Sequence, residues 1–155
     1  MRIKLNDAEI KFAKHIAKER QKHNTKEGYE NKNQSGFTDL EITTQGMEGE
    51  LAICKAFNIY PDTKTDQIQK HDLYIKGYSF DVKTTLKGHF LNVAYWKVQN
   101  PCDFYTLVIK HDKEFEVVGY IGKLNMFDKA NLKEGHRGPY WRIHKSKLNP
   151  FKGDI

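Results

Sequence analysis

Over residues 6 to about 23 the apolar positions Phe12, Ala13, Ile16 and Ala17 recur at helical spacing, which predicts an amphipathic helix. Asn6 precedes it with Glu9 three residues on, a pairing in which each side chain accepts from the other residue's backbone N–H. Residues 24–39, NTKEGYENKNQSGFTD, are polar and without period. They read as a long loop, either a surface excursion or a flap that orders on a ligand. A second helix is predicted from Gln45 to Asn58. At the helical angle Met47, Leu51, Cys54 and Phe57 fall on one side with Glu50 among them, while Glu48 and Lys55 point to solvent. Gly46 and Gly49 each weaken this helix by about 1 kcal/mol relative to alanine. Close approach to another backbone or to a ligand is one reason to keep them.

Residues 58–70 contain Pro61 and many polar side chains, with room for at most one short strand. From His71 to Thr85, HDLYIKGYSFDVKTT, the period changes to two, which predicts two strands joined by a tight turn at Lys76-Gly77. Antiparallel pairing across that turn sets Ile75 opposite Tyr78, Leu73 opposite Phe80 and Asp72 opposite Asp81. Asp81 and Lys83 then share one face. Beyond the hairpin, Leu91, Ala94, Tyr95 and Val98 predict a third helix within GHFLNVAYWKVQN (88–100), ended by Pro101. The apolar run FYTLVI (104–109) fits a central strand covered on both faces. Strand, crossover helix and strand make a right-handed parallel unit. Residues 114–121 add a strand, and the tail from Lys123 carries a short helix and a partly extended GPYWRIHKSKLNPF. No repeat or linker divides the chain. The expected architecture is one mixed α/β domain over 1–155, with a core at about 45–121, an N-terminal helix and loop at 1–44 and a C-terminal extension at 122–155.

Composition narrows the class. The 155 residues are 38% apolar and 12% aromatic, enough for a sizeable core. Lysine and arginine outnumber acids 26 to 20, a net charge of +6 that is compatible with a polyanionic partner. Cys54 and Cys102 form no CxxC, which argues against a disulfide scaffold, structural zinc or an iron–sulfur cluster. No apolar run approaches membrane-spanning length and the N-terminus lacks a signal-peptide core. The expectation is a soluble cytoplasmic protein with no membrane partner. His15, His23 and His111 read as surface residues. Without a phosphate-cradling glycine loop or a nucleophile elbow, nucleotide hydrolysis and acyl transfer have no support.

Candidate chemistry gathers at the hairpin. Like charges directly opposite each other destabilise a sheet, so Asp72 facing Asp81 calls for a compensating cation. Glu50 lies on the packing face of its helix, where an unpaired carboxylate is costly. Three carboxylates suit a hard cation such as Mg²⁺, and Lys83 beside them limits the negative charge and can orient a water or an oxyanion. That combination is what phosphodiester hydrolysis requires.

Gly49-Glu50 in a helix, Asp72 at the start of a strand and Asp81-Val82-Lys83 in the next resemble the PD-(D/E)XK nuclease superfamily. The resemblance covers roughly Gln45 to Ile109. It implies a restriction-endonuclease-like core, a central mixed sheet of four to five strands flanked by helices. It further implies that Asp72, Asp81 and the main-chain carbonyl of Val82 hold the metal, that Glu50 binds it directly or through water, and that Lys83 positions the attacking water. His71 stands where the family has proline, and Asp81 where glutamate is commoner; neither removes a ligand. The glutamine–tyrosine helix motif of the RecB-like branch is missing.

The resulting expectation is a Mg²⁺-dependent deoxyribonuclease, with Mn²⁺ able to substitute. Its size favours a structure-selective or weakly sequence-specific endonuclease, such as a junction resolvase or a repair or phage-type nuclease, and is compatible with a homodimer. The alternatives are a non-catalytic nucleic-acid-binding protein of the same fold and an RNA-directed nuclease. Lys87 and His89 are placed to reach a phosphate near the metal. In the tail His136, Arg137, Trp141, Arg142, His144, Lys145 and Lys147 mix cations with aromatics, which suits phosphate contact and base stacking. Otherwise Tyr140, Trp141 and Ile143 close the core while the cations face solvent.

Overall fold

The structure is a computed structural model, and residues 1–26, 36–64 and 71–151 are described. Strand β1 (Arg2–Lys4) leads into helix α1 (Asp7–Lys26), which is followed by helix α2 (Asp39–Phe57). The Asn6–Glu9 cap forms in both directions, at 2.6 and 2.9 Å. Thr38 and Glu41 make the same reciprocal cap on α2, which therefore starts six residues before the predicted Gln45. Within the predicted 24–39 loop, residues 27–35 lie outside the described residues. No strand forms among residues 58–64, while 65–70 are likewise outside.

The hairpin forms as its periodicity predicts. Strands β2 (Leu73–Ile75) and β3 (Tyr78–Thr85) pair antiparallel, with Leu73 opposite Phe80 and Ile75 opposite Tyr78. Lys76 and Gly77 both have positive φ, at 48° and 86°. A two-residue turn of this hand matches the twist of the strands it joins.

The crossover departs from expectation. Residues 88–100 hold strand β4 (Phe90–Ala94) and a 3₁₀ helix (Tyr95–Gln99) in place of an α-helix. Leu91 and Val93 alternate inward in β4 between exposed Phe90, Asn92 and Ala94. Strand β5 (Phe104–His111) nevertheless runs parallel to β3, so the parallel pairing holds. Strand β6 (Glu114–Gly122) turns back along β5, giving a mixed five-stranded sheet of order β1-β6-β5-β3-β2. After a single helical turn, α3 (Lys123–Met126), strands β7 (Leu132–Gly135) and β8 (Gly138–His144) join β4 in a second sheet of order β4-β8-β7, which sequence reading did not anticipate.

Three layers result. Helices α1 and α2 cover one face of the large sheet through Ala13, Ile16, Met47, Ile53, Phe80 and Val108. The small sheet covers the other, where Leu91, Val93, Trp141 and Ile143 meet Tyr105, Leu107 and Ile121. Trp141 and Ile143 thus close a core, and the indole of Trp141 is only 5% exposed. Among the described residues no helix is long and apolar enough to cross a membrane.

The two glycines of α2 differ in what surrounds them. A Cβ on Gly49 would lie 1.9 Å from Thr84 Oγ1, 3.0 Å from its Cβ and 3.2 Å from its Cγ2, so no rotamer of the threonine clears it. A Cβ on Gly46 would meet nothing within 4 Å. Gly49→Ala is therefore expected to lower stability by about 1–3 kcal/mol through overpacking. Gly46→Ala should raise it by up to about 1 kcal/mol through helix propensity. Urea denaturation of the two variants checks the contrast.

Candidate active site

Strand β2 covers β3 only from Tyr78 to Phe80. At that fork the backbone N–H of Asp72 still donates to Phe80 at 2.9 Å. One step on, the Asp72 carboxylate itself takes the next ladder bond, accepting from the N–H of Val82 at 2.6 Å. The side chain replaces a strand, and the two chains part there.

Asp81 and Lys83 share a face, as predicted, but that face is not open to water. It lies under the 3₁₀ helix, and Asp81 is 0% exposed. Lys83 pairs with Asp81 Oδ1 and Lys97 with Asp81 Oδ2. Lys97 was missed because it sits in the segment whose spacing suggested an α-helix.

Glu50 comes from α2 and is 9% exposed. Arg20 of α1 meets it, with Nη1 donating to Oε1 at 3.3 Å and Oε2 at 3.1 Å. The same guanidinium donates from Nη2 to the carbonyl of Asp62 and from Nε to that of Lys64. Arg20, 6% exposed, therefore fixes both the glutamate and the chain that follows α2. Glu48 does not point to solvent. It is 3% exposed and pairs with Lys110 of β5, because α2 is covered on both sides, by α1 and by the sheet.

The electrostatics tie the quartet together. Burial and then the charge of Asp72 push the Glu50 carboxyl up to about 8, against the pull of Arg20 and Lys83. Asp72 is raised by burial and by Asp81. Burial also opposes charge on Asp81, but Lys83 and Lys97 outweigh it and hold its carboxyl below the usual range. For Lys83, burial is outweighed by Asp81 and Asp72, which keep its ammonium at about 12.

Three carboxylates and three cations thus share one site, drawn from α1, α2, the hairpin and the 3₁₀ helix. Among the described residues no three His, Cys, Asp or Glu side chains are gathered as a ready metal cage. Carboxylate oxygens are the donor type a hard cation takes.

The predicted nucleic-acid residues lie on the small sheet and the turns around it. Lys87 and His89 are exposed in the turn before β4, where the His89 carbonyl accepts from the Lys145 N–H at 2.6 Å. Arg137 and His136 lie in the β7–β8 turn and Arg142 on β8. His144 caps the short helix that holds Lys145 and Lys147.

No curated protein and no solved structure matches the chain. Over residues 1–117 it matches the profile of a family of unknown function (DUF5843), and the chain belongs to that family.

Proposed function

We propose that this chain is a metal-dependent nuclease of the PD-(D/E)XK type, with its helix–hairpin–strand core in the restriction-endonuclease-like arrangement. What supports the reading is that Glu50 feels the charges of Asp72 and Lys83, and Asp72 that of Asp81, around the fork where β2 leaves β3. Asp72, Asp81, Glu50 and the Val82 carbonyl would hold Mg²⁺ or Mn²⁺. When bound, the cation polarises the phosphate and makes water acidic enough to attack at neutral pH.

The chain's own groups divide the remaining work. Lys83, paired to Asp81, orients the water and the scissile phosphate by donating hydrogen bonds. Lys97 adds a second fixed ammonium where negative charge develops on phosphorus. Arg20 locks the Glu50 rotamer. Water adds to phosphorus, the P–O bond to the leaving strand breaks, one proton of the water ends on the leaving oxygen and the other is released to solvent. DNA is the favoured substrate, cut internally in a structure-selective or weakly sequence-specific way.

A second reading has its own observation. Both Asp81 oxygens already face lysines, and the three carboxylates are matched by three cations without any metal. Such a cluster suits a non-catalytic nucleic-acid-binding protein. Calorimetry separates the two. Mg²⁺ binding is expected in the native chain and should vanish in Asp72→Ala and in Asp81→Ala; equal heats in either variant overturn the nuclease reading.

A further inference from the structure

Strands β4 and β8 pair with Asn92 opposite Arg142 and Ala94 opposite Tyr140. An open groove of about 740 Å³ runs between the 3₁₀ helix and the β7–β8 turn, lined by Tyr95, Trp96, Arg137, Tyr140 and Arg142 with their neighbours. Among the described residues that line it there is no acid.

Two features show that its aromatic and cationic groups are held in place. The Arg142 guanidinium sits 4.9 Å from the Phe90 ring and 5.0 Å from the Tyr140 ring, and its Nε donates to Asn92 Oδ1 at 2.9 Å. Tyr95 stacks on buried Trp141 at 6.0 Å and 9°, which anchors the 3₁₀ helix against β8. Trp96, in contrast, leaves 62% of its surface in water. An apolar plane of that size exposed beside fixed cations suits a flat ligand that carries negative charge.

Position decides what that ligand is. The Lys97 Nζ lies 5.3 Å from the centroid of the Trp96 ring and also pairs with Asp81. The groove is thus linked to the carboxylate cluster through the 3₁₀ helix, whose Trp96 lines the one and whose Lys97 pairs within the other. Aromatic planes with interleaved cations are how proteins hold unpaired nucleic-acid strands, by stacking bases and neutralising phosphates. Inside a duplex the base faces are already stacked on one another, so Trp96 has no face to meet there.

We infer that the groove holds an unpaired nucleic-acid strand, with a base on Trp96 and phosphates on Arg142 and Arg137. Resting on the nuclease reading, this assigns as substrate a nucleic acid with a single-stranded segment, whose adjoining phosphodiester is delivered to Asp81 and Lys83.

The test is fluorescence anisotropy with the full chain in chelator, so that no strand is cut. The probes are a labelled oligothymidylate and a blunt duplex of equal length. Tighter binding of the single strand is expected, with a loss of about ten-fold or more in Trp96→Ala and recovery in Trp96→Phe, which keeps the aromatic face. Trp96 is on the surface, so these variants fold. Unchanged single-strand affinity in Trp96→Ala, equal losses on both probes, or no single-strand binding overturns the inference. Single-strand binding that depends on Trp96 without any metal-dependent cutting leaves the groove standing and removes the nuclease. Cutting of blunt duplex that ignores Trp96→Ala, with no single-strand binding, does the reverse.

Discussion

Arg20→Ala is expected to lower stability by about 3–5 kcal/mol, because several buried acceptors lose one donor at about 1–3 kcal/mol each. Glu50 would remain buried near Asp72 without the cation that donates to it, and the carbonyls of Asp62 and Lys64 would lose their donor. Replacing both partners, as in Arg20→Leu with Glu50→Leu, should recover only the part of the loss that comes from Glu50, since the carbonyls of Asp62 and Lys64 still lack their donor. The deficit also depends on pH. Glu50 titrates higher in the folded chain, about 8, than its ordinary 4.5, so the folded state holds a proton that the unfolded state has released. Stability from that proton is full below 4.5 and is lost as pH rises through about 8. The groups facing Glu50 are Arg20, Asp72 and Lys83, and removing Arg20 leaves Asp72 less opposed. Both folded chains hold that proton below about 8, so the Arg20→Ala deficit is nearly constant from about pH 5 to 7 and grows as pH rises through about 8, where only the native chain has the Arg20 guanidinium to stabilise the carboxylate. Urea denaturation in chelator from about pH 5 to 9 checks it, and a deficit that shrinks with rising pH contradicts the assignment.

The second large effect concerns Lys83. Its ammonium is paired to Asp81 and stays charged across the neutral range. Removing a preorganised donor of this kind costs about 10²–10³ in turnover. Lys83→Ala should thus cut activity by that factor while the fold survives, because its side chain is about a third exposed (35%) and Lys97 still faces Asp81. Lys83→Arg keeps the charge but spreads it over a planar fork, so it is expected to rescue activity only in part.

How much of this was legible beforehand depended on what kind of signal each residue carried. The hairpin was readable because a period of two, a Lys-Gly turn and an apolar face all point to one register. The place of Glu50 followed from its apolar neighbours on α2. Its partner was missed although Arg20 continues the stripe of Ala13, Ile16 and Ala17 at helical spacing, because an arginine there reads as the edge of the apolar face. Glu48 was misplaced for a related reason. A helical wheel ranks faces by apolar residues alone, and Lys110 from β5 satisfies a carboxylate on a face that the wheel leaves to solvent. In the crossover, Leu91, Ala94, Tyr95 and Val98 fit helical spacing as well as Leu91 and Val93 fit a strand. Long-range pairing with β8 decided between them, and Lys97 and Trp96 were lost with that choice. The small sheet was invisible because its strands come from segments about forty residues apart in the chain.

The central claim is that the fork at Asp72 and Asp81 hydrolyses phosphodiester bonds. Its most direct test is cleavage of supercoiled plasmid, linear duplex, single strand, four-way junction and RNA, with and without Mg²⁺ or Mn²⁺, by the native chain and by Lys83→Ala. Cutting that requires the metal and falls by about 10²–10³ in the variant is the predicted result. Binding without cutting on every substrate, or cutting that Lys83→Ala leaves unchanged, contradicts it.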